Sequence, residues 1–429
     1  MLPLLLLLLV GDIRVVRDIV NLKEKYPNRV HIILGNRDIN KMRLTVELSN
    51  KALRSPPDVY WNRDVNVNQT NQKPADRLKW ILLRTMGAPI AFESRREELI
   101  DLGKSASDDD VLKSFLEFVK PKDGKPEGIL TKYLKYGQIV HRVKNILFVH
   151  GAIHGYNIGW VPPYDGKESQ VATNLDDWIR KINEFARHES QDYAERTNEY
   201  VGMYQLSLTD KYWSSNAGYY HNQPGSRLVQ YGMGWLADKT RNPSVIYATY
   251  STETNQPEPQ VSEWLTSNGI RTLVVGHQPR GDAPMLLDNN GLQIVSGDTS
   301  YAKNALWDKD GIGTWASIAS SKAESELNYP ASSTRADVVS EVLIDIDETG
   351  NSVVSVHGVL SDGGKYEYIL PKSSSNQYLG KSTSTGWIVK ASNVRYSSDP
   401  ESSYYLLSQV SGFDTKNRLV PHDNINLEF

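Results

Sequence analysis

Three short apolar runs in this chain stop abruptly at a small or polar group, and that pattern constrains the fold more than any other feature. Residues 30–34, 146–149 and 272–275 end at Gly35-Asn36-Arg37-Asp38, at His150-Gly151 and at Gly276-His277-Gln278. Runs of four or five residues rich in Val, Ile and Leu read as strands. Strands that are apolar throughout belong to a sheet covered on both faces. In such sheets the working polar groups gather at the carboxyl ends of the strands. The expectation is a mixed α/β or α+β fold that presents Asn36, His150 and His277 together.

The surrounding segments support this. Asp12 opens a helical pattern to Lys25, with Ile13, Val16, Ile19 and Val20 on one stripe, and Pro27 follows the stop. Residues 50–145 read as a mainly helical insertion, with helices near 77–85, 93–102 and 107–120. Ser107 with Asp110 three residues on is a capping-box variant, so the acidic run 108–110 reads as a helix start rather than a metal site. A long amphipathic helix covers 176–194, with Trp178, Ile182 and Phe185 on one side. A further helix near Glu263 ends at Gly269, and 292–295 is a strand ending at Gly297-Asp298. Residues 342–346, 353–356 and 366–370 read as antiparallel strands. A Ser-rich stretch at 373–385 then divides a domain of residues 1–371 from a linker and C-terminal extension at 372–429.

Composition excludes some chemistry. The 429 residues carry a formal net charge of -3 and include no cysteine. That removes disulfides, thiolate metal sites and a cysteine nucleophile, and gives no electrostatic reason to expect nucleic acid as a partner. Residues 2–10 are apolar but far short of the roughly 20 needed to span a bilayer, so no transmembrane segment is expected. They read as a buried strand, a leader, or a non-native start of a truncated chain. A cytoplasmic location is the simpler expectation, and secretion follows only if residues 1–10 act as a leader. The sequon Asn68-Gln69-Thr70 matters only in that case.

Two neutral imidazoles and a carboxamide oxygen meeting at strand ends would suit a borderline divalent ion such as manganese, iron or zinc. The order of motifs then becomes informative. The stretch from Lys23 through Tyr26-Pro27 to Gly35-Asn36, followed by Phe148-Val149-His150-Gly151 and by Val275-Gly276-His277-Gln278, resembles the calcineurin-like metallophosphoesterases, in the branch similar to the Ser/Thr protein phosphatases. The likeness runs over about residues 12–300. It implies a four-layer αββα sandwich and hydrolysis of phosphate monoesters, from protein or small molecule, by a metal-bound hydroxide. Two metal ions complete the family's site, and Asn36, His150 and His277 fall on the ligands of the second.

Two departures from the family pattern stand out. No Asp or His precedes Gly11, so the family's first-metal motif is not seen, which leaves one metal here and admits an inactive binding or scaffold relative. Asp12 is the one candidate for the bridging carboxylate, although it aligns better with the helix start as a cap. The second departure is Arg37, where the family places a histidine that assists the leaving oxygen. Arginine offers charge and bidentate contacts rather than a proton. Arg37 and Asp38 are nonetheless the candidate catalytic pair, with Asp38 orienting Arg37, and good leaving groups would suffer least.

Arg43 and Arg241 are candidates for holding phosphate, each also readable as a surface charge. Asp298 and Tyr301 lie in a loop near the His277 motif, where Asp298 reads first as a turn aspartate. A serine hydrolase lacks its Gly-x-Ser-x-Gly elbow here. Gly380-Lys381-Ser382 lacks the first glycine of a P-loop, since residue 375 is Ser.

Overall fold

A computed structural model describes residues 12–50, 52–54, 73–86, 88, 91–120, 128–196, 223–235, 240–250, 256–277, 283–289, 291–298, 340–348, 352–359, 365–370, 378–396, 399–411 and 414–428. The segment 2–10, the sequon, Gln278 and Tyr301 lie outside the described residues.

The chain is mixed α/β. Helix α1 (Asp12–Lys25) leads to β1 (Ile32–Ile33), and then the short helices α2 (Asn36–Asn40) and α3 (Leu44–Glu47) follow. The helical region contains α4 (Pro74–Arg84), α5 (Ala91–Asp101), α6 (Asp108–Val119) and α7 (Ile129–Tyr136). Ser107 caps α6 as the sequence suggests: its hydroxyl accepts from Asp110 N at 3.2 Å while the Asp110 carboxylate accepts from Ser107 N at 3.1 Å. The acidic run therefore begins a helix, and Asp108 pairs with Lys79 and Arg96.

The helical region ends earlier than expected. Residues 137–143 are extended, as β2 (Gly137–Gln138) and β3 (Val140–Val143), and they tie β1 to the central sheet. The first half pairs parallel with β1, and Leu34 N continues that ladder to Gln138 O at 2.9 Å. The second half pairs antiparallel with β4 (Ile146–Val149). The break falls at Ile139, where Asn183 from the 22-residue helix α8 (Leu175–Arg196) takes the strand's hydrogen bonds: its Oδ1 accepts from Ile139 N and its Nδ2 donates to Val140 O at 2.7 Å. A short hairpin, β5 (Trp160–Val161) with β6 (Gln170–Val171), lies between β4 and α8. Helices α9 (Ser226–Tyr231) and α10 (Pro259–Ser267) follow.

The central sheet has the order β3-β4-β7-β9-β8, with β7 (Thr272–Val275), β8 (Met285–Asn289) and β9 (Leu292–Ser296). Strands β4, β7 and β9 run parallel. Alternate side chains separate two cores, as a pleated strand requires. Leu273, Val275, Leu287, Leu292 and Ile294 enter a large cluster to which each of the helices α1 to α10 contributes. Val274, Leu286 and Val295 point the other way, into a second cluster.

That second cluster is shared with a six-stranded antiparallel meander: β10 (Ser340–Ile346), β11 (Ser352–Val359), β12 (Lys365–Ile369), β13 (Ile388–Tyr396), β14 (Asp399–Ser411) and β15 (Asp414–Pro421). Polar ties reinforce the apolar contact. Ser352 Oγ donates to Gln293 Oε1 at 2.8 Å, Tyr368 OH donates to Pro284 O, and buried Lys390 donates to Ala283 O. The sequence-based boundary at residue 371 thus falls inside one hydrogen-bonded sheet, since β12 pairs with β13 through Tyr366 and Tyr396. Ala391, Val394 and Leu406 from the expected extension fill the same cluster as Val354 and Tyr368. The Ser-rich stretch at 373–385 drew the boundary, although the strands β13 to β15 follow it. No described helix is long and apolar enough to cross a membrane.

Candidate functional site

The three parallel strands of the central sheet, and β1 beside them, deliver the polar motifs to one edge. Gly276 N donates to His150 O at 2.8 Å, and Gly297 N donates to Val275 O at 2.8 Å, so the ladder carries on just past the strand ends. His150, His277 and Asp298 therefore leave the sheet as neighbours. A Cβ placed on Gly276 would lie 3.7 Å from that of Asp298. His277 departs with φ +74, the left-handed region that a non-glycine residue adopts at some cost. Asn36 arrives from the opposite direction, as the first residue of α2.

These residues meet at one atom. Asn36 Oδ1 lies 3.1 Å from His150 Nε2 and 3.2 Å from His277 Nδ1, across sequence separations of 114 and 241 residues. A carboxamide oxygen has two lone pairs and can accept from both imidazoles. The same spacing suits a shared metal ion. Ligand atoms held about 2.0–2.1 Å from one ion sit about 3 Å apart, and two imidazole nitrogens with one oxygen are a suitable donor set for manganese, iron or zinc. Among the described residues no group of three or more His, Cys, Asp or Glu is placed to hold a metal, so this cluster depends on the asparagine.

Electrostatics keep the imidazoles neutral. Burial pushes His150 down to about 4, helped by the positive charge of Arg37. His277 falls to about 3 through burial, then through His150 and Arg37. Neutral imidazole is the form that binds a metal. Arg37 itself is exposed on α2. Asp38 serves the local backbone, since its Oδ2 accepts from Gly35 N at 2.8 Å and from Tyr133 OH at 3.3 Å, closing the first turn of α2.

Two glycines set the close packing. A Cβ on Gly35 would fall 2.8 Å from the His150 ring, so the turn before Asn36 must be bare for the histidine to reach it. A Cβ on Gly151 would meet the carbonyl oxygens of Val245, Ile246 and Ala248 at 2.5, 2.6 and 2.8 Å. Residues 244–250 thus pass directly under the His150 loop. Gly151 N donates to Val245 O, buried Asn157 Nδ2 donates to both Ala152 O and Ser244 O, and His154 Nε2 meets Thr249 O at 3.1 Å. The same segment touches His277, because the Tyr247 ring lies 4.6 Å from it between centroids.

The other sequence candidates fall elsewhere. Arg43 is buried and committed: its Nε donates to Glu47 Oε1 at 2.9 Å and its NH2 to Thr85 Oγ1 at 2.9 Å. A guanidinium so enclosed cannot reach a phosphate, which corrects the expectation for Arg43. Arg241 is exposed, with its guanidinium over the Tyr156 ring at 4.8 Å. Asp298 stands beside the His277 turn, partly buried. Helix α1 begins at Asp12. Asn157, Tyr247 and the His154–Glu258 pair, 3.0 Å apart, carried no sequence signal as site residues.

Comparison with protein-family models, with curated proteins and with solved structures finds no match to this chain.

Proposed function

We propose that the chain is a metal-dependent phosphomonoesterase whose Asn36, His150 and His277 form the second-metal half of a calcineurin-like site. One observation carries the proposal: ring nitrogens of His150 and His277, from two distant strand-end motifs, lie 3.1 and 3.2 Å from the carboxamide oxygen of Asn36, from a third. The motif order that resembles the family supports it independently. A divalent ion held there supplies Lewis-acid polarisation of a phosphoryl oxygen and an acidified water. The chain's own residues contribute orientation and charge. His150 and His277 stay neutral as donors, Gly35 and Gly151 allow their close approach, and Arg37 places a positive charge within reach of both histidines, where phosphate oxygens would gather. Phosphate monoesters, from protein or small molecule, are the proposed substrates, and the full αββα sandwich is part of the same reading. The helix-covered central sheet backed by an antiparallel meander supports three of its layers.

The reading is tested by measuring bound manganese, iron or zinc per chain together with turnover of p-nitrophenyl phosphate. Metal uptake and turnover that are both lost in His150→Ala support it. A second reading, a relative that binds one ion without hydrolysis, is favoured by the absence of a carboxylate-rich metal cluster among the described residues. One ion per chain, lost in His150→Ala, with no turnover in the parent would select that second reading.

A further inference from the structure

Tyr247 adjoins the Asn36–His150–His277 cluster, and its ring and those of Trp235 and Tyr156 are exposed to solvent. Tyr247 packs against His277 yet keeps 38% exposure. A Cβ on Gly234 would fall 2.7 Å from the Tyr247 ring, so the backbone leading into Trp235 rests on that tyrosine. Trp235 is 59% exposed and bridges in antiparallel fashion to Arg241. Arg241 in turn lies over Tyr156, itself 37% exposed. The turn before this bridge also leans on the helix that carries Asn36: a Cβ on Gly232 would meet the Ile39 side chain at 3.3 Å. Exposed apolar side chains that group into one patch, unlike those scattered singly, mark interaction sites.

We propose that this face is a leaving-group platform and that the substrate is an aryl phosphate, its ring stacked on Trp235 and Tyr247 and its phosphate directed to the His277 side. The inference rests on the phosphomonoesterase reading and narrows it. Flat faces flanked by arginine favour a planar, electron-rich ring beside an anion. Arg37 points the same way, because a guanidinium holds a departing oxygen by charge but delivers no proton. A phenol, with a pKa of about 10, departs as the oxyanion far more readily than an alkyl alcohol. In the reaction the oxygen of water, giving up one proton to solvent, forms the new P–O bond while the bond between phosphorus and the aryl oxygen breaks. The electron pair leaves on that oxygen, which takes its proton from solvent.

The test uses the full chain and two non-hydrolysable probes, phenylphosphonate and methylphosphonate, titrated calorimetrically. Phenylphosphonate should bind about tenfold more tightly, the usual scale of one stacked ring. Trp235→Ala should erase that preference and Trp235→Phe should keep it. Equal affinity for the two probes, or a preference that survives Trp235→Ala, overturns the proposal. Turnover of phenyl phosphate and glycerol 2-phosphate separates the two levels of the argument. A phenyl preference in binding with neither ester hydrolysed means that the platform stands and the hydrolytic reading fails. Equal hydrolysis of both esters without a binding preference means the reverse.

Discussion

The rings of His150 and His277 stand edge to face with centroids 5.4 Å apart, and the carboxamide oxygen of Asn36 lies within hydrogen-bonding distance of both. Each imidazole carries the other's burial and each is held neutral, which makes the pair a pH-sensitive element as well as a donor set.

That neutrality sets the direction of a pH effect. The folded values of about 4 and 3 lie below the ordinary histidine value of 6.5. The unfolded chain therefore binds more protons between these limits, so stability is complete above about pH 6.5 and falls as the solution is acidified. The ceiling is about 1.4 kcal/mol per pH unit for each histidine. His141, stacked on His31 at 3.8 Å and pushed down to about 4 by burial, then by His31 and Lys23, adds in the same direction. Urea midpoints at pH 7.5 and pH 5 should drop toward acid. His277→Asn should shrink that drop, and a slope unchanged in this variant would refute the assignment.

Gly35→Ala addresses the approach of Asn36 to His150. The backbone at Gly35 has φ -100, which alanine tolerates, so the new methyl conflicts only with the imidazole 2.8 Å away. Zinc affinity measured by calorimetry should fall at least about tenfold, the lower range for disturbing a ligand's support. Thermal stability should change little by comparison. Retained affinity would mean that His150 has room to move and still bind.

Asn157→Ala tests the strap under the site loop. The variant strands the carbonyls of Ala152 and Ser244 and the His154 N–H, all buried around a side chain that is 0% exposed. Several lost buried hydrogen bonds should cost about 2–4 kcal/mol in chemical denaturation. Metal affinity should weaken as well, since residues 244–250 hold the His150 loop. A loss of stability with full metal affinity would show that the strap is structural only.

Arg43→Ala separates packing from phosphate binding. Breaking a buried ion pair such as that between Arg43 and Glu47, 2.8 Å apart, typically costs about 3–5 kcal/mol. Inorganic phosphate should bind the folded variant as it binds the parent. A selective loss of phosphate affinity at unchanged stability would restore Arg43 to the site.

Much of the site was legible in the sequence because strand ends are short-range signals. The runs 146–149 and 272–275 coincide with β4 and β7, so the apolar runs themselves set His150 and His277 at strand ends. Asn36 followed from the Gly35 turn. What stayed hidden depends on long-range geometry. Arg43 reads as a surface charge until Glu47 and Thr85 are seen to enclose it. Tyr247 reads as one residue of an apolar run until it is seen against His277. Strands β13 to β15 escaped because they mix charged and polar residues with apolar ones in no regular alternation, after a Ser-rich stretch, and pairing with β12 reveals them as sheet.

That pairing has a temporal side. The rear face of the strands that bear His277 and Asp298 is covered by Ala391, Val394 and Leu406, about a hundred residues further along. During synthesis the edge that carries the histidines and its helices can gather first, while the cover over Leu286 and Val295 is completed only when the last strands have left the ribosome. Any event that delays or clips those strands would be felt at the opposite face of the sheet, where the histidines stand.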